Sequence, residues 1–290
     1  ISALVIGWLL RDFSGLTLIR VVQGAAVATL VLNMIALWKQ EKVRPMTKAE
    51  REEPAPSFGD AWRDFARGGP AGRLLVVVFL GTMAFNMQDV LLEPYGGEIL
   101  GLSVSKTTLL TATWSAGALV GFALAARWLS DGINPYRMGA RGILAGLAAF
   151  SAVIFANPMA SEFMFFSGAC LIGFGGGLFS VSTLTAAMTM PAEGSAGRGL
   201  ALGAWGAAQA TAAGLSIAIG GGLRDTINQI AISGGLGEAL NSPATGYSVV
   251  YHFEILLLFF TLVALGPLVR TQSTYSRGEA GKIGLADLPT

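Results

Sequence analysis

Long apolar runs separated by short polar breaks dominate this chain. A membrane-spanning helix needs roughly 20 mostly apolar residues, and seven stretches meet or approach that length, while residues 1–10 look like the end of one further span. The seven stretches are residues 16–38, 74–92, 107–129, 139–156, 163–190, 199–222 and 248–269. The pattern predicts an all-α polytopic membrane protein.

Composition supports the same class of protein. The chain is 53% hydrophobic and only 13% charged, whereas soluble domains carry roughly 25% charged residues. Its net charge of +1 gives no argument for a nucleic-acid partner. The one cysteine, Cys170, lies inside an apolar run, so the sequence offers no disulfide framework and no thiolate metal site.

The basic residues indicate the orientation in the membrane. Most of the 19 lysines and arginines lie in residues 39–73, in the loops after the third and fifth spans, and in the C-terminal tail. Because cytoplasmic loops are enriched in Lys and Arg, residues 39–73 and the C-terminus are predicted to be cytoplasmic.

Four regions follow from this layout. They are the end of an N-terminal transmembrane half (1–38), a cytoplasmic linker (39–73), a six-span C-terminal half (74–269) and a cytoplasmic tail (270–290). The arrangement is typical of the second half of a six-plus-six transporter.

Within the linker, "SFGDAWRDFARGG" predicts a short amphipathic helix with Phe58, Trp62 and Phe65 on one side and an S-x-x-D cap at Ser57 and Asp60. This helix lies on the membrane surface or packs on the bundle.

The second span carries polar residues that are costly in a membrane and are usually kept for function. Asn86, Asp89 and Glu93 have the i, i+3, i+7 spacing of one helix face, with Gln88 beside it. Pro94, followed by two glycines, is expected to end the helix.

The cations Arg20 and Lys106 are the candidate partners for these acids. The four spans between residues 107 and 222 contain no Asp or Glu.

Four GxxxG pairs lie in those same spans, and they have two interpretations. Such pairs let helices pack closely, and they also leave smooth faces on which a bulky, flat, apolar ligand fits. The pairs are Gly117 with Gly121, Gly142 with Gly146, Gly173 with Gly177, and Gly199 with Gly203.

The only histidine, His252, lies near the start of the last span. It is either a boundary residue or a ligand for chlorophyll magnesium.

The loop "RWLSDGINPYRMGAR", with Asp131, Arg137 and Arg141, resembles the Asp- and Arg-bearing loop of major facilitator transporters. The sequence shows no catalytic motif and no metal-spaced Cys/His cluster, so neither an enzyme nor a metal site is expected.

The stretch "MQDVLLEPYGGEILGLSVSKTTLLTATWSAGALVGF", and above all "QDVLLEPYGG" at 88–97, resembles the PucC-like, or bacteriochlorophyll delivery, branch of the major facilitator superfamily. The similarity continues through residues 173–188 and 199–225. It implies a major-facilitator-type bundle of twelve spans, of which this chain is the later part. Gln88, Asp89, Glu93, Pro94 and Tyr95 would be the signature positions.

The resemblance also implies a role in photosynthetic bacteria. Members act in the inner, intracytoplasmic membrane in the assembly of light-harvesting antenna complexes. Bacteriochlorophyll is then the cargo or bound pigment, and antenna polypeptides or a reaction centre–antenna complex are the partners. Two alternatives stay open: a proton-coupled transporter of a small solute with Asp89 or Glu93 as proton carrier, and a structural accessory subunit of a photosynthetic complex.

Overall fold

The computed structural model describes residues 15–38, 59, 62, 63, 65, 69–190 and 197–278. Seven of its helices are long and apolar enough to cross a membrane, and the regular elements of these described ranges are all helical. The predicted class, an all-α polytopic membrane protein with seven spans in this chain, is therefore confirmed. The major-facilitator arrangement of the spans stays a prediction.

The chain divides into two compact units, residues 1–56 and 57–290. Helix α1 (Gly15–Leu37) belongs to the first unit and carries Arg20, which is exposed on that helix. The division falls inside the predicted linker. Of the predicted linker helix, Ser57, Phe58 and Asp60 lie outside the described residues.

The second unit contains the other six spans. Its first span is built from two helices joined by a short 3-10 turn, and the next five are continuous α-helices. The elements are α2 (Pro70–Asn86), the 3-10 turn Met87–Val90, α3 (Leu92–Glu98), α4 (Val104–Ser130), α5 (Pro135–Ala156), α6 (Glu162–Met188), α7 (Gly197–Ile232), a 3-10 turn Glu238–Leu240 and α8 (Ala244–Gly278).

Local sequence explains where several of these helices begin. Pro70 and Pro135 occupy first-turn positions, where the missing N–H has no intrahelical partner to lose. The Asn134 side chain accepts hydrogen bonds from the backbone N–H groups of Tyr136 (2.8 Å) and Arg137 (3.3 Å). Such a cap satisfies two of the free amides at the start of α5.

Helix α6 lies between α4 and α5, and glycines bring the backbones together. A Cβ atom on Gly117 would lie 2.0 Å from the carbonyl oxygen of Cys170, and one on Gly142 would lie 2.7 Å from that of Gly175. The first three GxxxG pairs are therefore explained by close helix packing. By contrast, a Cβ atom on Gly199 or Gly203 would meet no described atom within 4 Å, so the fourth pair is not a packing contact within the described chain.

Trp62, in the predicted linker helix, lies next to Phe65 and beside the helix bundle. Its ring lies 5.9 Å from that of Phe65. It also lines a groove of about 470 Å³ with Phe79 of α2 and Gly203 of α7. This position favours packing of the segment on the bundle over a location on the membrane surface alone.

The expectation that Pro94 ends its helix is wrong. Helix α3 begins at Leu92 and runs past Pro94 to Glu98. Pro94 lies in the first turn of this new helix, where a proline costs no backbone hydrogen bond. The break falls earlier, at the 3-10 turn Met87–Val90. Asn86, Asp89 and Glu93 are therefore not on one continuous helix, although Asp89 and Glu93 are both exposed.

Candidate functional site

The 3-10 turn places one polar side chain inside the bundle and the next one outside. Gln88 is buried, and its Nε2 donates to the carbonyl oxygen of Phe85 (3.4 Å) and to Oδ1 of Asp89. Asp89 itself is exposed, while Asn86 at the start of the turn is half-buried. The Gln88 amide thus holds the Asp89 carboxylate at the surface of the span.

Glu254 on α8 lies behind this turn and was missed by the sequence reasoning. The residue is fully buried, and neither of its carboxyl oxygens has a hydrogen-bond partner among the described residues. The backbone of Gln88 and the carboxyl group of Asp89 face it. Its sequence signal was an acid inside the apolar run "YHFEILLLFF".

Lys106, one of the two candidate cations for the second-span acids, pairs with an acid outside that span. Lys106 binds Glu162, with Nζ 2.8 Å and 2.5 Å from the two carboxylate oxygens. The prediction that Lys106 pairs with Asp89 or Glu93 is therefore wrong. Glu93 is exposed and accepts a hydrogen bond from the hydroxyl group of Thr111 on α4.

Tyr95 anchors the short helix α3 in an aromatic cluster. It is buried, and its ring centre lies 5.6 Å from that of Phe165, 5.3 Å from Tyr247 and 5.4 Å from Tyr251. Aromatic rings at such distances attract one another beyond the effect of burial alone. Tyr95 therefore fixes α3 against α6 and α8.

A second polar group near α3 was also missed. Arg224 of α7 binds Glu98 at 2.6 Å and donates to the hydroxyl group of Tyr247, whose ring lies 4.4 Å from the guanidinium carbon. The hydroxyl group of Tyr247 donates to the same oxygen of Glu98 at 2.8 Å. Arg224 was not among the site residues predicted from the sequence, although its position next to Asp225 at the end of "GGGLRD" was a signal.

A groove of about 460 Å³ opens beside this cluster. The ring of Tyr95 lines it together with the end of α5, the 236–242 loop and the first turns of α8. His252 lines the same groove and is exposed, and its Nδ1 lies 2.7 Å from the carbonyl oxygen of Ser248. The signature segment and the only histidine therefore meet at one groove, which sequence spacing did not indicate.

The Asp- and Arg-bearing loop lies apart from this groove, between α4 and α5. Asp131 follows the last residue of α4 and is exposed, as are Arg137 and Arg141. The guanidinium group of Arg141 lies 5.8 Å from the ring centre of Trp128.

Across the residues that the structure describes, no His, Cys, Asp and Glu side chains form a group of three that could hold a metal ion.

The fold and the site together define a multi-pass helical membrane protein with a polar turn and an aromatic groove at one of its spans. Residues 1–273 match the family model described as PUCC protein, and the chain belongs to the PucC family. The resemblance seen in "QDVLLEPYGG" is thereby confirmed at the level of the family.

Individual relatives agree with this assignment. An uncharacterized protein of the puhA-bchM intergenic region of Rhodobacter capsulatus is 58% identical over all of this chain and 61% of its own length. Protein PucC of Cereibacter sphaeroides is 46% identical over 91% of this chain and 56% of its own length. The bacteriochlorophyll synthase 44.5 kDa chain of R. capsulatus is 28% identical over 78% of this chain and 53% of its own length. This chain thus spans between 53% and 61% of these relatives.

Proposed function

We propose that the protein is an assembly factor for photosynthetic antenna complexes and binds bacteriochlorophyll, antenna polypeptides or both within the membrane. Membership of the PucC family supports this proposal, as does the likeness to a protein named as a bacteriochlorophyll synthase chain. The protein acts by binding and carries no catalytic role in this proposal.

The observation that carries the proposal is the composition of the segment 88–97. The same segment supplies Tyr95 to a largely apolar groove and Asp89 to the exposed surface of the span. Binding sites for large apolar molecules are usually apolar clefts with a few placed polar groups that fix orientation. A flat, apolar pigment with a few polar substituents, or an antenna helix, matches that description better than a sugar or an ion does.

The proposal includes a location and an orientation. The protein lies in the intracytoplasmic photosynthetic membrane, with the linker 39–73 and the C-terminus on the cytoplasmic side, as the distribution of Lys and Arg indicates. Its partners are antenna polypeptides or a reaction centre–antenna complex.

A second candidate function is a proton-coupled transporter of a small solute, and one observation favours it. Glu254 is fully buried, its carboxyl oxygens make no hydrogen bond of ordinary geometry within the described residues, and the backbone of Gln88 and the carboxyl group of Asp89 face it. Buried ionisable residues in membrane helices commonly serve as proton relays. In this alternative, Asp89 and Glu254 exchange a proton during transport.

The two functions are separated by replacing Asp89 with Asn, which removes the charge and keeps the shape. The full-length protein is purified gently from pigment-producing cells, and its near-infrared absorption and its co-purifying polypeptides are measured together with the antenna absorbance of the membranes. Glu162→Gln is the matched control, because Glu162 is also an exposed carboxylate near a helix start but lies in the salt bridge with Lys106.

For an assembly factor, we expect bound bacteriochlorophyll or antenna polypeptide in the wild type and in the control. Asp89→Asn should lose both binding and antenna absorbance. If antenna levels stay normal in Asp89→Asn while the uptake of a solute is lost, the protein is a transporter. A colourless protein that still retains antenna polypeptides restricts the proposal to polypeptide binding.

A further inference from the structure

The groove beside Tyr95 contains one side chain that is suited to bind a metal at the centre of a flat ligand. The groove lies between the end of α5 and the first turns of α8. Its exposed lining surface is mostly apolar, and the side chains of Asn157, Ser242 and Thr245 add a few polar groups. Its volume of about 460 Å³ falls in the range of roughly 300–1,000 Å³ that ligand pockets occupy. His252 stands on the α8 side of this apolar lining.

The hydrogen bond of His252 determines which ring nitrogen is free. Nδ1 lies 2.7 Å from the carbonyl oxygen of Ser248, one turn earlier on α8. A carbonyl oxygen only accepts hydrogen bonds, so Nδ1 carries the proton in a neutral ring, and the lone pair is on Nε2. Among the described residues, the hydrogen bonds of His252 involve Nδ1 alone.

This arrangement is the one that metal-binding histidines use. Such residues donate their other ring N–H to a carboxylate or a backbone carbonyl group, which fixes the ring orientation and makes the ligating nitrogen more basic. Because the carbonyl oxygen of Ser248 belongs to the helix backbone, the orientation of the ring is built into α8. The groove does not suit a bare Mg²⁺ ion, because proteins usually hold that ion through carboxylates and none is among the residues that line the groove.

We propose that Nε2 of His252 is the axial ligand to the magnesium of a tetrapyrrole bound in this groove. The inference rests on the proposed function, because that function supplies bacteriochlorophyll as the magnesium tetrapyrrole. A magnesium chlorin brings four ring nitrogens of its own and needs one further neutral donor from the protein. The apolar lining accepts the macrocycle, and His252 supplies that donor.

The test compares two pigments that differ only at the metal. Full-length protein in detergent is titrated with bacteriochlorophyll a and, separately, with bacteriopheophytin a, in which two protons replace the magnesium. The wild type should bind the magnesium form about tenfold or more tightly, a difference of roughly 1.4 kcal/mol. His252→Leu should bind both pigments equally, with its affinity for bacteriopheophytin unchanged.

Two further variants make the test specific. Ser248→Ala removes a hydroxyl group 3.4 Å from Nδ1 but keeps the backbone carbonyl group, so it should retain the preference for the magnesium form. His252→Gly should lose the preference and regain it when free imidazole is added. The absorption band of bacteriochlorophyll that reports the coordination number of magnesium should follow the same pattern.

The possible failures are distinguishable. If the wild type binds neither pigment, pigment binding in the proposed function is wrong, and the inference falls with it. If the wild type prefers the magnesium form and His252→Leu keeps that preference, only the role of His252 is wrong. Equal binding of both pigments by the wild type likewise overturns the axial ligand and leaves pigment binding intact.

Discussion

Replacing Gly117 by alanine should separate α4 from α6. These helices touch through glycines on both sides, since a Cβ atom on Gly117 would lie 2.0 Å from the carbonyl oxygen of Cys170, and one on Gly173 would lie 2.0 Å from that of Trp114. Both obstacles are backbone atoms, which cannot rotate away as a side chain can. A methyl group at either position therefore forces a movement of the helix itself.

The size of the effect follows from that geometry. Non-bonded contacts of a Cβ atom below 3.0 Å are essentially never found, so the helices must part by about 1 Å. Overpacking of this kind costs typically about 1–3 kcal/mol. Alanine offsets part of this cost, because it favours the helix over glycine by up to about 1 kcal/mol.

The matched control is Gly214→Ala on α7. Gly214 is exposed, and a Cβ atom there would meet no described atom within 4 Å. The control receives the helix-propensity gain without the clash. The free energy of unfolding is measured for both variants by titrating the protein in mixed micelles with sodium dodecyl sulfate while helix content is followed by circular dichroism.

We expect Gly214→Ala to gain up to about 1 kcal/mol and Gly117→Ala to be about 1–3 kcal/mol less stable than that control. The double variant with Gly173→Ala should cost less than the sum of the two single variants, because one separation of the helices relieves both clashes. Equal stability of Gly117→Ala and Gly214→Ala would refute the backbone contact between α4 and α6.

Three further predictions concern polar side chains, and the same titration measures each. Arg224→Gln should lose about 1–2 kcal/mol, because the half-buried guanidinium loses its charge-assisted hydrogen bonds to Tyr247 and to Glu98, which is itself more than half exposed. Lys106→Gln, at an exposed salt bridge, should lose no more than about 1 kcal/mol. Asn134→Ala should lose about 1 kcal/mol through the missing helix cap, whereas Asn134→Asp should retain it. Tyr251→Phe should not lower stability, because the hydroxyl group it removes is buried and has no hydrogen-bond partner among the described residues. A loss above about 1 kcal/mol would contradict this reasoning.

The spans could be predicted from sequence because a membrane helix satisfies its own backbone. A sufficiently long run of apolar residues is therefore enough to predict a span, and all seven predicted stretches are helical in the structure. The break at Met87–Val90 was not predictable in this way. Pro94 is the strongest local signal, yet it lies in the first turn of a helix here instead of ending one.

The candidate site was predictable only in part. The segment 88–97 was found because acids are rare in spans, and the same signal could have indicated Glu254. The meeting of Tyr95 with His252 depends on how α3 packs against α8, and no spacing along the chain encodes that. Glycine patterns show the same limit, since Gly117 and Gly203 belong to identical motifs but only Gly117 touches a neighbouring backbone.

The glycine contacts also have a mechanical consequence. Helices α4, α5 and α6 touch at carbonyl groups on both sides of α6, so their spacing has no slack that a side-chain rotation could take up. These three helices should therefore move together as one rigid body. A change of shape on binding would then fall mainly at the side-chain contacts between these three helices and α8, such as that of Phe150 with Tyr251. The groove would widen or narrow at its α8 wall while its α5 wall stays still.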